Sequence, residues 1–330
     1  MVDAGKFTLD PAAARAKLRE HRLADPHAWV AMLVEAASIA GSSSLSFQLG
    51  ARRSSATFIG PRLDPERLES LFAAPFVEGS SLESEERPTH EVLDKLAIAA
   101  NAALALDIDS VWIECTSPRG EQHRLTIPRE GEPTLETGGR SDESEIRFVI
   151  ESEGRDSERA DAELAVLRLR CRWAKPKIEV DGVSINESRA AALGSGARMA
   201  VTGASGRPIG LARLGRGGQP AKLLLLTHGV LAETLPLPEA PTDFLALVDT
   251  NLRKDLAQAR VVRGPEFDAT LAAVKQVWNR LGGRPPQTLT ERKAVLAEIH
   301  KGRPDATRLV QVVGLLVVVV LAFVVLLWLR

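Results

Sequence analysis

The sequence predicts an α+β protein of two packed domains, followed by a helical stalk and one C-terminal transmembrane helix. Three observations predict it. Helical and strand-like periodicities mix without regular alternation over the first 175 residues, and hairpin signals follow a composition change at Ala174-Lys175-Pro176. The stretch from Leu309 to Leu329, LVQVVGLLVVVVLAFVVLLWL, carries no charge. The whole chain is 45% hydrophobic and 26% charged, proportions that allow a buried core.

The first helix reads from Asp25 to Ala40, with Asp25 as N-cap, Pro26 at the first helical position and Gly41 as the stop. Trp29, Leu33, Val34, Ala37 and Ala40 fall on one face of it. Strand signals follow at Ser44 to Phe47 and Ala56 to Ile59, then a short helix from Asp64 to Phe72 that repeats the Asp-Pro start. Polar Pro75 to Glu91 reads as a loop, His90 to Leu106 as a helix and Ser110 to Cys115 as a buried strand. Acidic and glycine-rich loops around Arg129 to Glu143 precede a strand at Glu145 to Ile150 and a helix from Arg159 to Arg172.

Beyond the boundary, KIEVDGVSIN places Asp181-Gly182 between two strand runs, which is a strong short hairpin signal. Strands at Ala197 to Thr202, Ile209 to Leu214 and Lys222 to Leu226 are expected to continue one sheet. After the Pro-rich LPLPEAPTDF come a strand at Phe244 to Val248 and a helix beginning near Asn251. Helices from Pro265 to Leu281 and Leu289 to Lys301 flank GGRPP, the second with a Thr288/Glu291 capping box. The expected division is 1–175, 176–264, a stalk over 265–308 and a membrane helix over 309–329.

A helix of about 20 apolar residues spans the roughly 30 Å hydrocarbon core, and Gln311 is the only strongly polar residue in the run. Arg292, Lys293, Lys301, Arg303 and Arg308 precede it while Arg330 alone follows. That asymmetry keeps the preceding part in the cytoplasm. The N-terminus shows no apolar run of signal-peptide length, so the expected location is the inner membrane, single-pass, with the bilayer as one partner.

Lys plus Arg number 42 against 43 Asp plus Glu, a net charge of −1 that excludes a generally basic nucleic-acid binder. Tyrosine is absent and aromatics are 4%, leaving few platforms for base stacking. Cys115 and Cys171 read as structural thiols in a chain without a secretory framework. None of the six histidines (His21, His27, His90, His123, His228, His300) has metal-ligand spacing, so each is expected at the solvated surface and no metal is expected. VTGASGRPIG imitates a phosphate-binding glycine loop, but Pro208 and the alternating IGLARL lead into a strand instead of a helix. A β-hairpin turn is the expected structure there.

In the N-terminal third, MLVEAASIAGS, FIGPRLDPERLESLF and LAIAANAALAL follow one another in an order that resembles the GHKL ATPase superfamily. That superfamily includes the 90-kDa heat-shock chaperone, gyrase B, MutL and histidine kinases. Its first motif reads Glu-Leu-Val-x-Asn-Ala-x-Asp-Ala-Gly-Ala; Leu33, Val34, Ala37, Ala40 and Gly41 match the frame. Met32 stands at the general-base position, Ala36 at the magnesium-binding Asn and Ile39 at the Asp. In the second motif Gly60, Asp64, Pro65, Glu66 and Leu68 are kept, but Phe58 replaces the adenine-reading Asp and Arg62 the second glycine. In the third, Ala97 and Ala99 occupy positions where glycines let the backbone approach phosphate. The stretch ELAVLRLRCRWAKPKIEVDGVSIN resembles the junction to a ribosomal-protein-like α/β second domain.

The resemblance implies a two-layer Bergerat-type fold with a degenerate nucleotide pocket, because Met, Ala and Phe offer no oxygen to magnesium or to an adenine amino group. It implies a membrane-tethered pseudo-ATPase acting as a protein-binding or scaffold module, with no cofactor and no catalytic residue. The enzyme alternative is a chaperone-like ATPase, binding ATP and magnesium, whose base is Glu35 or Glu91. A third expectation is self-association through the anchor and the juxtamembrane helices.

Overall fold

A computed structural model of the chain describes residues 11–20, 23–77, 83–154, 156–255, 257–258 and 260–281. The strand signals gather into two sheets with helices packed on them, a mixed α+β architecture. The first sheet has eight strands: β1 (Ser44–Gln48), β2 (Arg53–Ile59), β3 (Ser110–Thr116), β4 (Glu121–Pro128), β5 (Thr134–Arg140), β6 (Glu145–Glu151), β7 (Lys177–Val180) and β8 (Val183–Ser184). Their order is β5-β4-β3-β6-β2-β1-β7-β8, antiparallel except for the β1–β7 pair. Period-two alternation turns Leu45, Phe47, Phe58, Ile113, Ile146 and Phe148 to one face, where they are almost fully buried.

Helix α1 (Pro11–Glu20), helix α2 (Trp29–Ile39), preceded by a 3₁₀ turn over Pro26–Ala28, and helix α4 (Arg87–Ala103) join that same core. Between β2 and α4, the Asp64-Pro65 signal starts α3 (Pro65–Glu69), a single short helix that gives way to a 3₁₀ turn at Leu71–Phe76. Residues Trp29 to Ala37 are all buried, so α2 is covered on every side instead of showing one polar face. Each large apolar side chain in it, such as Leu33, contributes roughly 1.5–3 kcal/mol by leaving water. Helix α5 (Ser157–Val166) continues into a π-helical turn at Leu167–Cys171, which delivers the chain to β7.

The second sheet has five strands, β9 (Ala197–Thr202), β10 (Pro208–Leu214), β11 (Lys222–Thr227), β12 (Val230–Pro236) and β13 (Phe244–Asp249), ordered β12-β11-β13-β10-β9. Helix α7 (Pro265–Arg280) covers one face with Phe267, Val274, Val277 and Trp278. The Trp278 ring meets Phe244 edge-on at 5.8 Å. Trp173 and Leu193, the residue that ends the short α6 (Arg189–Ala192), cover part of the other face.

Several expectations change here. The Asp181-Gly182 hairpin forms, with φ of 49° and 80° at its two turn residues, but it extends the first sheet because β7 pairs with β1. The first sheet therefore runs past Pro176 to Ser184. The segment after Asn251 is not a helix: Asp255 accepts a hydrogen bond from the Arg260 amide, and Lys254 bridges Val261 across a wide reversal. The polar stretch around Arg129 to Glu143 contains β5, and α4 starts inside the expected loop, at Arg87. The glycine-rich VTGASGRPIG is the β9–β10 hairpin.

Gly229 has φ +82°, and a Cβ there would lie 2.6 Å from Ala174 Cα. Its neighbour His228 has φ +52°, giving a two-residue turn between β11 and β12. Gly229→Ala is expected to cost about 2–3 kcal/mol through strain and backbone displacement, read as a lower urea midpoint.

Among the described residues no helix is long and apolar enough to cross a membrane. The expected span over 309–329, and the Leu289 to Lys301 helix with its capping box, lie outside the described residues.

Candidate functional site

The residues singled out in the sequence fall on α2, the end of β2 and α4. Met32, Ala36, Phe58, Ala97 and Ala99 are at most 2% exposed and belong to one continuous apolar core. Ile39, near the end of α2, is half-buried against the same core. Gly60 donates its amide to Ser144 O at 2.8 Å, and a Cβ there would press on the Ile146 side chain at 2.4 Å. Arg62 leaves this group altogether. It is exposed and donates to Asp142 O at 2.8 Å, tying the β2–α3 connection to the loop before β6.

Glu35 has the surroundings that sequence reasoning could not supply. It is fully buried on α2 and accepts a hydrogen bond from Lys254 on its Oε1, while the Lys95 ammonium lies 3.6 Å from its Oε2. Lys95 also pairs with Asp94 at 3.1 Å on the preceding position of α4. Burial alone would push the Glu35 carboxyl up, but the two ammonium charges and the Lys254 hydrogen bond hold it below its ordinary value. Lys254 meets the opposite balance: burial, with the neighbouring Lys95 and Arg170 charges, outweighs Glu35 and lowers it to about 8. Lys95, with two carboxylates beside it, is raised despite its burial. With two lysines for one central carboxylate, Lys254 is the member that releases its proton first.

A lysine whose folded pKa is depressed binds fewer protons folded than unfolded, so stability rises with pH between its two values. For Lys254 that window runs from about 8 to the ordinary 10.5, whereas the raised Lys95 acts with opposite sign only above 10.5. Urea midpoints taken across this window are expected to fall less with pH, or to rise more, in the parent than in Lys254→Met. Equal slopes in the two proteins would contradict the assignment.

As a general base Glu35 is poorly placed, because it is 0% exposed and its carboxylate is already committed to two ammonium groups. Glu91 is only half-buried at the start of α4. A cavity of about 200 Å³ lies between the 3₁₀ turn before α2, Arg170, Ala232 and Gln258, with Met32 the one sequence-predicted position in its wall. It is smaller than the roughly 300–1,000 Å³ of ordinary ligand pockets and lies apart from Phe58, Ala97 and Ala99.

A second buried network fixes the start of α2. Trp29 Nε1 donates to Glu163 Oε1 and Ser54 Oγ donates to Glu163 Oε2, each at 2.9 Å, with Arg159 3.6 Å from the same carboxyl. Burial outweighs these partners and raises Glu163 above its ordinary value. Arg159 in turn donates to Gly50 O and Ala51 O, which docks α5 on the β1–β2 connection.

Cys115 and Cys171 are buried thiols, each pushed up to about 12 chiefly by burial, so neither is a nucleophile at neutral pH. His123 corrects the surface expectation. It is 2% exposed on β4, with Nδ1 3.1 Å from Thr137 Oγ1. His21 and His300 lie outside the described residues. Among the described residues no cluster of three His, Cys, Asp or Glu could hold a metal ion. No family model and no curated protein matches the chain.

Proposed function

We propose that the chain is a membrane-tethered pseudo-ATPase of GHKL-like, chaperone-related fold that works in the cytoplasm as a protein-binding or scaffold module. The observation that carries this reading is the filled core at the positions where the family holds nucleotide. Met32, Ala36, Phe58, Ala97 and Ala99 all belong to one continuous apolar core and have almost no exposure. A site stripped of its polar readers and packed with apolar atoms stabilises the fold without a ligand. Glu35 adds support, since an acid pinned between two lysines neither reaches solvent nor accepts a proton near neutrality.

The anchor is part of the same proposal and rests on the uncharged run at 309–329 and the basic residues before it. A phosphate-release assay tests the absence of chemistry. The chain with ATP and magnesium is expected to release phosphate no faster than buffer. Turnover that disappears in Glu35→Ala or Glu91→Ala would overturn the reading in favour of an active ATPase.

A further inference from the structure

The halves of the molecule meet where Trp173 packs on Leu226 and Leu247, where Arg170 donates to Leu231 O at 3.0 Å, and at two further joints. One is apolar: the His228-Gly229 turn carries Val230 into the first core, with Gly229 set against Ala174. The other is the buried charge pair of Lys254 and Glu35, backed by Lys95. Leu252 and Val261, on either side of Lys254, are buried in the second core, so this strap travels with the second sheet and only Lys254 crosses to α2 as a charge. Beside that crossing the apolar packing is incomplete, because the cavity of about 200 Å³ separates part of the strap from the start of α2. A buried ion pair adds little net stability over an apolar pair of similar size, but it tolerates only one relative placement of its partners.

We propose that Glu35 and Lys254 form a latch that fixes how the second sheet sits on the first, and that opening it lets the second half swing about the Val230 turn while both halves stay folded. This goes beyond the scaffold reading and holds whether or not the core ever accepts a ligand. The latch gives the module two arrangements with different seams, the closed one held by a single buried carboxylate.

Spin labels at Glu69→Cys and Arg216→Cys, both exposed positions on opposite halves, report the arrangement by pulsed dipolar spectroscopy on the full chain. The native thiols are buried and remain unlabelled. The parent is expected to give one narrow distance distribution. Glu35→Met/Lys254→Met, which leaves Lys95 paired with Asp94, is expected to broaden it about twofold with cooperative unfolding retained. Lys254→Met alone is expected to broaden it as well. An unchanged distribution in both variants overturns the latch. A double variant that fails to fold also overturns it, because the pair would then be needed for folding instead of alignment.

Discussion

Glu35→Ala is expected to lower the free energy of unfolding by about 3–5 kcal/mol, a large part of the total for a domain of ordinary stability. The loss does not measure the strength of the ion pairs. It measures what remains: Lys254 at 3% side-chain exposure and Lys95 at 12% would face each other with their shared carboxylate gone. Recovering stability requires removing Lys254 as well, because Lys95 keeps Asp94 as its partner. Glu35→Met/Lys254→Met is therefore expected to regain most of the loss, since an apolar pair of similar volume leaves no orphaned charge. Urea denaturation of the three proteins gives the comparison. Equal losses in the single and double variants would mean that shape, not charge, holds this part of α2.

Trp29→Ala carries the second large effect. The Trp29 ring is 0% exposed, stacks on Phe148 at 5.4 Å and meets Phe47 edge-on at 6.5 Å. Truncation removes these contacts and leaves a cavity, a loss of about 3–5 kcal/mol, and it strips Glu163 Oε1 of its donor. Trp29→Phe separates the two terms, since it keeps most of the ring packing and loses the Nε1 donor. A loss of about 1–3 kcal/mol is expected for it, and thermal or urea unfolding followed by circular dichroism checks both variants. If Trp29→Phe is as damaging as Trp29→Ala, the hydrogen bond dominates and the stacking account fails.

Local signals explain why so many elements were legible. The Asp25-Pro26 and Asp64-Pro65 starts, the apolar spacing of α2 and α4 and the alternation of Ile146, Phe148 and Ile150 in β6 each act within one element. Strand β5 could not be found this way, because its TLETGGR side chains are mostly exposed and it is held chiefly by backbone pairing to β4. The Asp181-Gly182 turn announced a hairpin but not its partner, and the parallel β1–β7 pairing depends on where α5 and its π-helical turn deliver the chain. Burial of α2 on every side was illegible for the same reason. Lys254 is 219 residues from Glu35 in sequence, and nothing near either residue points to the other. The substituted positions on α2, β2 and α4 were readable as apolar from the sequence; that they pack into one core was a matter for the fold.

Isothermal titration of the chain with ATP in the presence of magnesium tests the central claim most directly. Met32, Ala36, Phe58, Ala97 and Ala99 are packed into the apolar core and offer no oxygen to the metal or to an adenine amino group, so no binding heat is expected up to millimolar nucleotide. Saturable binding with micromolar affinity would contradict it.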